Sequence, residues 1–399
     1  MTPFLQLILL LVFIIVAAKS AGYVSTRLGQ PAVLGELLAG LVLGPSVLDL
    51  LHWTIFPSEH LSITIYELGE LGVIFLMFMA GLEVNLEEML KAGKVSLLVG
   101  VLGVVAPLLL AIPVALTVKP AVVSSIFIGI ILTATSVSIS AQTLIELGVL
   151  QSKEGLALLG AAVVDDVLVI LIVSLFLAVT GSSGGGALDV VFLVLRVSIF
   201  LGAAILIGAK FFAPLVNLVE RLPISEGVIA LVIVTTLLYA WSAEVIGEIA
   251  AITGAFIAGL FFARTHLKHA IEQGMHTLTY AFFVPIFLIG IGLHADARKL
   301  GPNEWLFALA IILVAIVGKV IGGWLGSRLG GFDSKSALRV GVGMVSRGEV
   351  GLIVAAIGLN EGLIDTAIYS EMVLMVLATT LVTPFLLRLV FARGEAGDG

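Results

Sequence analysis

Two adjacent acids, Asp165 and Asp166, lie in the middle of an otherwise apolar run of the chain, residues 155–180. A charged side chain at the centre of a membrane costs about 2.5–3.5 kcal/mol on insertion scales, so intramembrane acids normally face a partner or a water-filled path. A carboxyl group holds either a proton or, together with hydroxyl and carbonyl oxygens, a hard cation. Competition between a proton and a monovalent cation at one acid is sufficient for exchange, which makes this pair the first candidate for function.

A basic residue at matching depth, Lys319, occurs in a second apolar run, residues 304–327. At 1.5 Å per helical residue, Asp165 lies roughly 16 Å from Glu154 at the start of its run, and Lys319 roughly 13 Å from Arg328 beyond the end of its own. Successive helical residues diverge by about 100°, so both acids cannot face the lysine. We therefore expect one acid to pair with Lys319 and the other to face a cavity. The alternative, in which Lys319 and serines merely satisfy both acids, is disfavoured because one lysine cannot neutralise two carboxylates.

Two further runs are interrupted by polar residues, at Thr133–Ser140 and at Ser346–Glu349. Such segments make poor continuous helix in lipid, whereas unwound carbonyl groups are tolerated where they line a wet cavity. For the serine and threonine cluster, the alternative is hydrogen bonding between helices. For Arg347 and Glu349 it is a buried ion pair that neutralises two half-helix ends, an interpretation that is compatible with the cavity.

The composition indicates a helical protein that crosses a membrane many times, because 60% of the 399 residues are hydrophobic and only 12% are charged. The chain has no cysteine, which excludes disulfides, iron–sulfur sites and thiolate zinc sites. The net charge of −7 is scattered over loops and argues against nucleic acid as a partner. The stretch Gly181–Ala187 lacks the Lys-Ser/Thr of a phosphate cradle, and we expect no nucleotide-binding domain.

Apolar runs long enough to cross about 30 Å of hydrocarbon recur along the chain. They predict thirteen transmembrane helices: 4–26, 32–50, 65–82, 95–117, 122–147, 155–180, 189–217, 226–243, 249–263, 274–293, 304–327, 336–359 and 370–391. The first run lacks the basic segment of a signal peptide, which favours a spanning helix. With the amino terminus outside, only Lys119, Arg298 and Lys299 remain in outer loops, as the positive-inside rule requires. The odd count places the carboxyl terminus inside.

The two halves of the chain contain similar segments in the same order. Residues 35–41 resemble 254–260, and residues 74–82 resemble 286–293. The first of these segments lies in the second predicted span and its counterpart in the ninth, so equivalent helices cross the membrane in opposite directions. Inverted repeats that each contain an interrupted helix are typical of secondary transporters, whose binding sites lie near the membrane midplane.

Four motifs carry a family resemblance: Leu159–Leu168 with both acids, Ala134-Thr-Ser136, Gly318–Gly323 around the lysine, and Gly341–Val354 with Ser-Arg-Gly-Glu. Together they closely resemble the bacterial sodium/proton antiporters of the cation/proton antiporter superfamily, in the branch with paired aspartates. The resemblance covers nearly the whole chain. It implies that Asp166 carries the proton and ligates Na⁺, that Asp165 pairs with Lys319, that Thr135 and Ser136 lie at the crossing near the ion site, and that Arg347 and Glu349 lie at the opposite crossing.

The same resemblance implies an all-α integral membrane protein of about 13 transmembrane helices, with inverted repeats and two crossed, interrupted helices. Residues 95–180 and 304–391 would form the ion-transporting core, 1–82 and 226–293 the dimerisation scaffold, and 189–217 a linking helix. Family members form homodimers in the lipid bilayer, and the core moves like an elevator against the scaffold. The expected location is the inner (cytoplasmic) membrane of a bacterium or archaeon.

The activity implied by the resemblance is antiport of cytoplasmic Na⁺ or Li⁺ against external H⁺, with no enzymatic reaction and no cofactor. Family members that keep the lysine are generally electrogenic, which predicts two protons per sodium. A potassium/proton antiporter of the same fold stays open as an alternative, although related potassium efflux proteins usually show Gln-Asp and append a nucleotide-binding domain. A cation channel is disfavoured by the inverted broken helices. An intramembrane aspartyl protease needs its acids on two helices, which adjacent acids cannot provide.

Three histidines, His266, His269 and His276, lie in or beside one predicted cytoplasmic loop. Histidine titrates near neutral pH, so pH sensing is one interpretation, and ordinary exposed loop residues are the one we favour. Glu83 ends the third predicted span. An interfacial acid is the simpler interpretation of Glu83, and part of an entry funnel is the alternative.

Overall fold

The computed structural model describes residues 2–53, 55–56, 59–84, 87, 91–118, 121–180, 187–293 and 304–392. Throughout these residues the regular structure is helical and contains no strand, as apolar spans require in order to satisfy their own backbone groups. The helices are α1 Pro3–Arg27, α2 Ala32–Leu43, α3 Glu59–Glu83, α4 Gly93–Val118, α5 Val122–Ile131, α6 Val137–Glu146, α7 Lys153–Thr180, α8 Ala187–Glu220, α9 Gly227–Val245, α10 Ala251–Phe262, α11 Lys268–Leu278, α12 Val284–Leu293, α13 Glu304–Leu329, α14 Ser334–Gly343, α15 Glu349–Asn360 and α16 Thr366–Ala392.

Nine segments of the described chain are long and apolar enough to cross a membrane, with α11 and α12 counted as one. The short helices α2 and α10 and the broken pairs α5–α6 and α14–α15 complete thirteen segments, in agreement with the predicted number. The Gly181–Ala187 stretch, apart from Ala187, and the loop lysines and arginine predicted to face outward lie outside the described residues.

In two predicted spans the helix ends or changes its winding beside a proline. The span predicted over 32–50 was too long, since α2 ends at Leu43 and Pro45 follows its glycine cap. The residue before a proline is disfavoured in the helical conformation, which ends the helix there. The span predicted over 274–293 begins earlier, at Lys268, and contains a π-helical turn at Thr279–Phe283 just before Pro285. Proline leaves one carbonyl of the preceding turn without its N–H donor, and a local π turn is one way in which membrane helices satisfy such a group.

The two broken helices meet at their breaks. The backbone N–H of Ser136 donates to the carbonyl of Ser346 over 2.9 Å, and the Ser140 hydroxyl donates to the carbonyl of Gly343 over 2.6 Å. The first break is shorter than the predicted interruption Thr133–Ser140, because helix resumes at Val137. Ser140 uses its hydroxyl to bond the facing chain, so its polarity does not require unwound backbone.

Contacts between the halves follow the internal repeat. A Cβ atom on Gly292 of α12 would overlap the backbone of Gly40 in α2, and one on Gly259 of α10 would overlap the backbone of Phe78 in α3. Gly40 and Gly259 occupy equivalent places in the two repeats, so each contact mirrors the other. Close approach of helix backbones at small residues is a common packing mode in membranes. The contact also fixes α10, which carries a residue of the site described next.

Candidate functional site

The acid pair lies on α7 and the lysine on α13, both of which pack against α4. Lys319 Nζ lies 2.9 Å from Asp165 Oδ1, and both side chains have no exposed surface. The contact expected between the lysine and one of the acids is therefore present, and Asp165 is the acid that makes it. A buried ion pair of this kind is strongly destabilised when one partner is removed, because the other charge remains in a poorly solvating environment.

Asp166 points away from the lysine toward α10. Its Oδ2 accepts a hydrogen bond of 3.2 Å from the Thr253 hydroxyl, and both residues are buried. The carboxylate borders a cavity of about 10 Å³ that is lined mainly by apolar side chains, including Met77, Val137 and Phe256. Such a space is at the lower limit for one water molecule and excludes a hydrated ion. Because α10 falls in the predicted scaffold and α7 in the predicted core, Asp166 lies where the two predicted parts meet.

Several oxygen atoms around the crossing lack a hydrogen-bond partner among the described residues. They are Thr135 Oγ1, Ser136 Oγ, Ser346 Oγ and Asp165 Oδ2, and all four residues are at most 5% exposed. Buried polar atoms in native proteins almost always have a partner, which for unpaired oxygens is water or a cation. An oxygen-rich crossing beside two carboxylates is suited to a hard cation.

Arg347 lies at the centre of the second break and is fully buried. Its guanidinium donates to the carbonyls of Val345 over 2.8 Å, Leu132 over 2.8 Å and Ala315 over 2.9 Å. Leu132 caps the carboxyl end of α5, where a positive charge is favourable. The side chain of Glu349 lies outside the described residues, so the ion pair between Arg347 and Glu349 stays a prediction.

Two larger cavities lie at opposite ends of the molecule, and one of them reaches the crossing. We call the end at which α1 finishes and α7 begins the basic end, which the sequence predicts to be cytoplasmic. From the opposite end, an open cavity of about 420 Å³ passes Glu70 and Tyr369 and reaches Ser136 and Gly348. At the basic end, a cavity of about 520 Å³ is lined by Glu36, Gln142 and Glu146 among others. Asp166 borders neither of these two cavities.

The remaining candidates lie away from the acid pair. His266 and His269 are exposed, and His266 contacts Glu220 over 3.0 Å. The rings of His276 and Tyr280 lie 4.5 Å apart, tilted by 43°, at the basic-end cavity. Glu83, at the end of α3, is half-buried. Nothing in these contacts connects the three histidines or Glu83 to Asp166.

Sequence reasoning missed Thr253. A threonine in an apolar helix commonly bonds a carbonyl of its own helix, so its type and position carried no signal of a contact with Asp166. The only indication was its place directly before the repeat segment 254–260.

Comparisons with known proteins agree over almost the whole chain. A family model described as sodium/hydrogen exchanger, transmembrane, matches residues 10–393. The chain is 38% identical to the "Na(+)/H(+)-K(+) antiporter GerN" of Bacillus cereus, over 96% of this chain and 95% of that protein. It is 39% identical to a Na(+)/H(+) antiporter of Enterococcus hirae, over 96% and 98% of the two chains. It is 35% identical to the "High-affinity Na(+)/H(+) antiporter NhaS3" of Synechocystis, over 96% and 89%.

The fold is also similar to a solved structure. The sodium proton antiporter MjNhaP1 from Methanocaldococcus jannaschii superposes with a TM-score of 0.69, covering 99% of this chain and 98% of that one. The sequence identity between the two is 18%, so this similarity concerns the fold.

Proposed function

This chain belongs to the sodium/hydrogen exchanger family of multi-pass membrane transporters, and on that premise we propose that it exchanges Na⁺ for H⁺ at Asp166. The observation that carries the proposal is that the two acids make different contacts. Asp165 is held by Lys319 over 2.9 Å, whereas Asp166 turns toward a neutral hydroxyl and a small cavity. Asp166 is therefore the acid that alternates between the two cargo ions.

Binding of sodium and binding of a proton exclude each other at one carboxyl group. In the proposed sodium-loaded form, Asp166 supplies the charge, and Thr135 and Ser136 supply neutral oxygens from the adjacent break. The unpaired oxygens of these two side chains support this ligand set. When Asp166 is protonated, the cation loses its charged ligand and leaves. Because neither ion is carried without displacing the other, the fluxes are coupled.

Alternating access is proposed to proceed by movement of the core, 95–180 and 304–391, against the scaffold, 1–82 and 226–293. The hydrogen bond from Thr253 to Asp166 crosses this division and is proposed to break when the core moves. The cavity from the opposite end reaches the crossing at Ser136 and Gly348, which supports entry of protons from that side. The location is proposed to be the inner (cytoplasmic) membrane, with the basic end in the cytoplasm.

The stoichiometry is proposed to be two protons inward for each sodium outward, with Lys319 or an acid as carrier of the second proton. Such a cycle moves one net charge, worth about 2.3 kcal/mol per 100 mV. A tenfold sodium gradient is worth about 1.4 kcal/mol. A membrane potential alone therefore suffices to drive sodium against a tenfold gradient.

The experiment is sodium flux in proteoliposomes with no pH gradient and an imposed potassium-diffusion potential. Reversing the sign of the potential should reverse the net sodium flux. A flux that is present but unaffected by the potential would contradict the electrogenic cycle and leave electroneutral antiport standing.

Potassium is a second candidate cargo, because the Bacillus cereus relative is named a Na(+)/H(+)-K(+) antiporter. Proton exchange should be measured with a pH-sensitive dye against Na⁺, Li⁺ and K⁺ in turn. A saturable response that requires a counter-ion is expected of an antiporter, and a flux that needs no counter-ion would indicate a channel.

A further inference from the structure

The cavity at the basic end is lined by polar groups, none of which borders the small cavity at Asp166. Its volume is about 520 Å³, and its lining includes Glu36 of α2, Gln142 and Glu146 of α6, Lys19 of α1, and Tyr280. It brings together helices from both predicted parts, since α6 falls in the core and the others in the scaffold.

Four oxygen atoms in this lining have no hydrogen-bond partner among the described residues. They are Glu36 Oε2, Gln142 Oε1, Gln30 Oε1 and Tyr280 Oη. Glu36 and Gln142 are deeply buried, at 4% and 5% exposure, and both line the cavity. A buried carboxylate oxygen is costly to leave unpaired, so its surroundings call for a positively charged or donating ligand.

The other atoms of the same side chains are already engaged, which fixes their orientation. Glu36 Oε1 accepts a hydrogen bond of 3.0 Å from the Lys19 ammonium group. The amide nitrogen of Gln142 donates to Glu146 Oε1 over 2.9 Å, which leaves the amide oxygen as the free end. Glu146 Oε1 in turn accepts from the Val33 N–H over 3.2 Å at the start of α2. These hydrogen bonds fix the positions of the unpaired oxygens, Glu36 Oε2 and Gln142 Oε1.

The formal charges of the acidic and basic side chains in the cavity lining sum to zero, which disfavours a divalent cation. Two carboxylates, Glu36 and Glu146, share the lining with Lys19 and Arg388, and the Lys19 side chain is 49% exposed. A divalent cation normally takes several carboxylate oxygens or retains most of its water. A single free carboxylate oxygen with neutral amide and phenol oxygens is better matched to a monovalent ion.

We propose that this basic-end cavity is a second cation site, which binds a hard monovalent cation through Glu36 and Gln142 and is distinct from the Asp166 site. The ion bridges α2 and α6 and so favours the conformation in which these two helices are in contact. It follows that binding at this site is retained when the exchange site is disabled.

The test is equilibrium binding of ²²Na⁺ to the purified full-length protein, with choline as the replacing cation. The wild-type protein should bind two ions per chain, and Asp166→Asn should bind one. Adding Glu36→Gln to Asp166→Asn should abolish the remaining binding. Gln142→Met, added separately to Asp166→Asn, should weaken it by at least tenfold and serves if the Glu36 variant does not fold. Glu67→Gln, at an exposed acid of α3, is the matched control and should change nothing.

Three results would overturn the second site. Asp166→Asn would bind no sodium, or its remaining sodium would persist in both the Glu36 and the Gln142 variants, or the remaining ion would be displaced by Ca²⁺ in preference to Li⁺ and K⁺. Failure of the exchange proposal is distinguishable, because it appears as sodium-dependent proton flux that survives in Asp166→Asn proteoliposomes.

Discussion

Lys319 and Asp165 form a buried pair whose two members depend on each other. The ammonium and carboxylate are 2.9 Å apart with no exposed surface on either side chain. Each charge lowers the cost of burying the other, so the pair tolerates the apolar surroundings only when both members are present.

Removing one charge of this pair should therefore lower the free energy of unfolding more than removing both charges does. We expect Lys319→Gln to destabilise the fold by about 3–5 kcal/mol, and Lys319→Gln with Asp165→Asn to recover most of that loss. Thermal unfolding of the purified variants is the measurement. Additive losses in the double variant would show that the two side chains do not compensate each other.

Thr253 contributes a single hydrogen bond to Asp166 across the two predicted parts. Thr253→Val keeps the side-chain shape and removes the hydroxyl, so exchange should persist while the sodium KM changes by up to about tenfold, the equivalent of about 1.4 kcal/mol. Sodium-dependent proton exchange at several sodium concentrations measures this change.

Thr235→Val is the matched control, because the Thr235 hydroxyl bonds a carbonyl of its own helix over 2.7 Å. It should leave KM unchanged. Complete loss of exchange in Thr253→Val would place Thr253 in the ion-binding set itself, and an unchanged KM would show that the contact has no part in the cycle.

At the scale of elements, α14 holds one side of the crossing and is fixed by its amino-terminal cap. Asp333 accepts from the backbone N–H groups of Lys335 and Ser336, each over 3.1 Å, and contacts Lys153 at the start of α7 over 3.2 Å. Hydrogen bonds from Ser336, foremost its side chain, and the nearby Lys153 ammonium hold the pKa of Asp333 well below its usual range. The ionised Asp333 side chain therefore links the amino terminus of α14 to the amino terminus of α7.

Asp333→Ala should cost about 1 kcal/mol, the usual loss on removing such a cap. Because the pKa is lowered in the folded state, the cap stabilises the protein above the ordinary aspartate pKa and is lost as pH falls below it. Melting curves of the wild type and Asp333→Ala should therefore differ at pH 7 and converge toward pH 2. A difference that stays constant down to pH 2 would contradict an ionised cap.

The sequence alone predicted the number of membrane-spanning segments better than the residues at which the helices begin and end. The thirteen spans follow from the lengths of the apolar runs. The depth of Lys319 relative to Asp165 follows from counting residues along helices of known rise. The shortening of α2 at Pro45 and the π turn before Pro285 depend on local backbone donors, which the apolar pattern does not report. The contacts of Thr253 and of Arg347 with distant carbonyls depend on how helices pack, so they required the fold.

At the scale of the whole molecule, exchange by core movement requires that core and scaffold separate at their contact. Met77 of α3 and Ala162 of α7 border the same small cavity from the two predicted sides. The sequence has no cysteine, so an introduced pair provides the only thiols. Linking Met77→Cys to Ala162→Cys with a short thiol cross-linker should abolish exchange, and a cleavable linker should restore it on reduction.

A pair within the scaffold is the control for this cross-link. The rings of Phe75 and Phe283 lie 5.1 Å apart on elements that both belong to the predicted scaffold. Linking Phe75→Cys to Phe283→Cys should leave most of the exchange intact. Undiminished exchange after complete linkage of Met77→Cys to Ala162→Cys would rule out movement of α7 against α3.

The most direct test of exchange at Asp166 is simultaneous recording of ²²Na⁺ and proton flux in proteoliposomes that contain the wild type or Asp166→Asn. The wild type should move sodium and protons in opposite directions, each dependent on the other, and Asp166→Asn should reduce both to the level of empty liposomes while it still inserts and folds. Coupled sodium and proton flux at wild-type rates in folded Asp166→Asn would contradict the account.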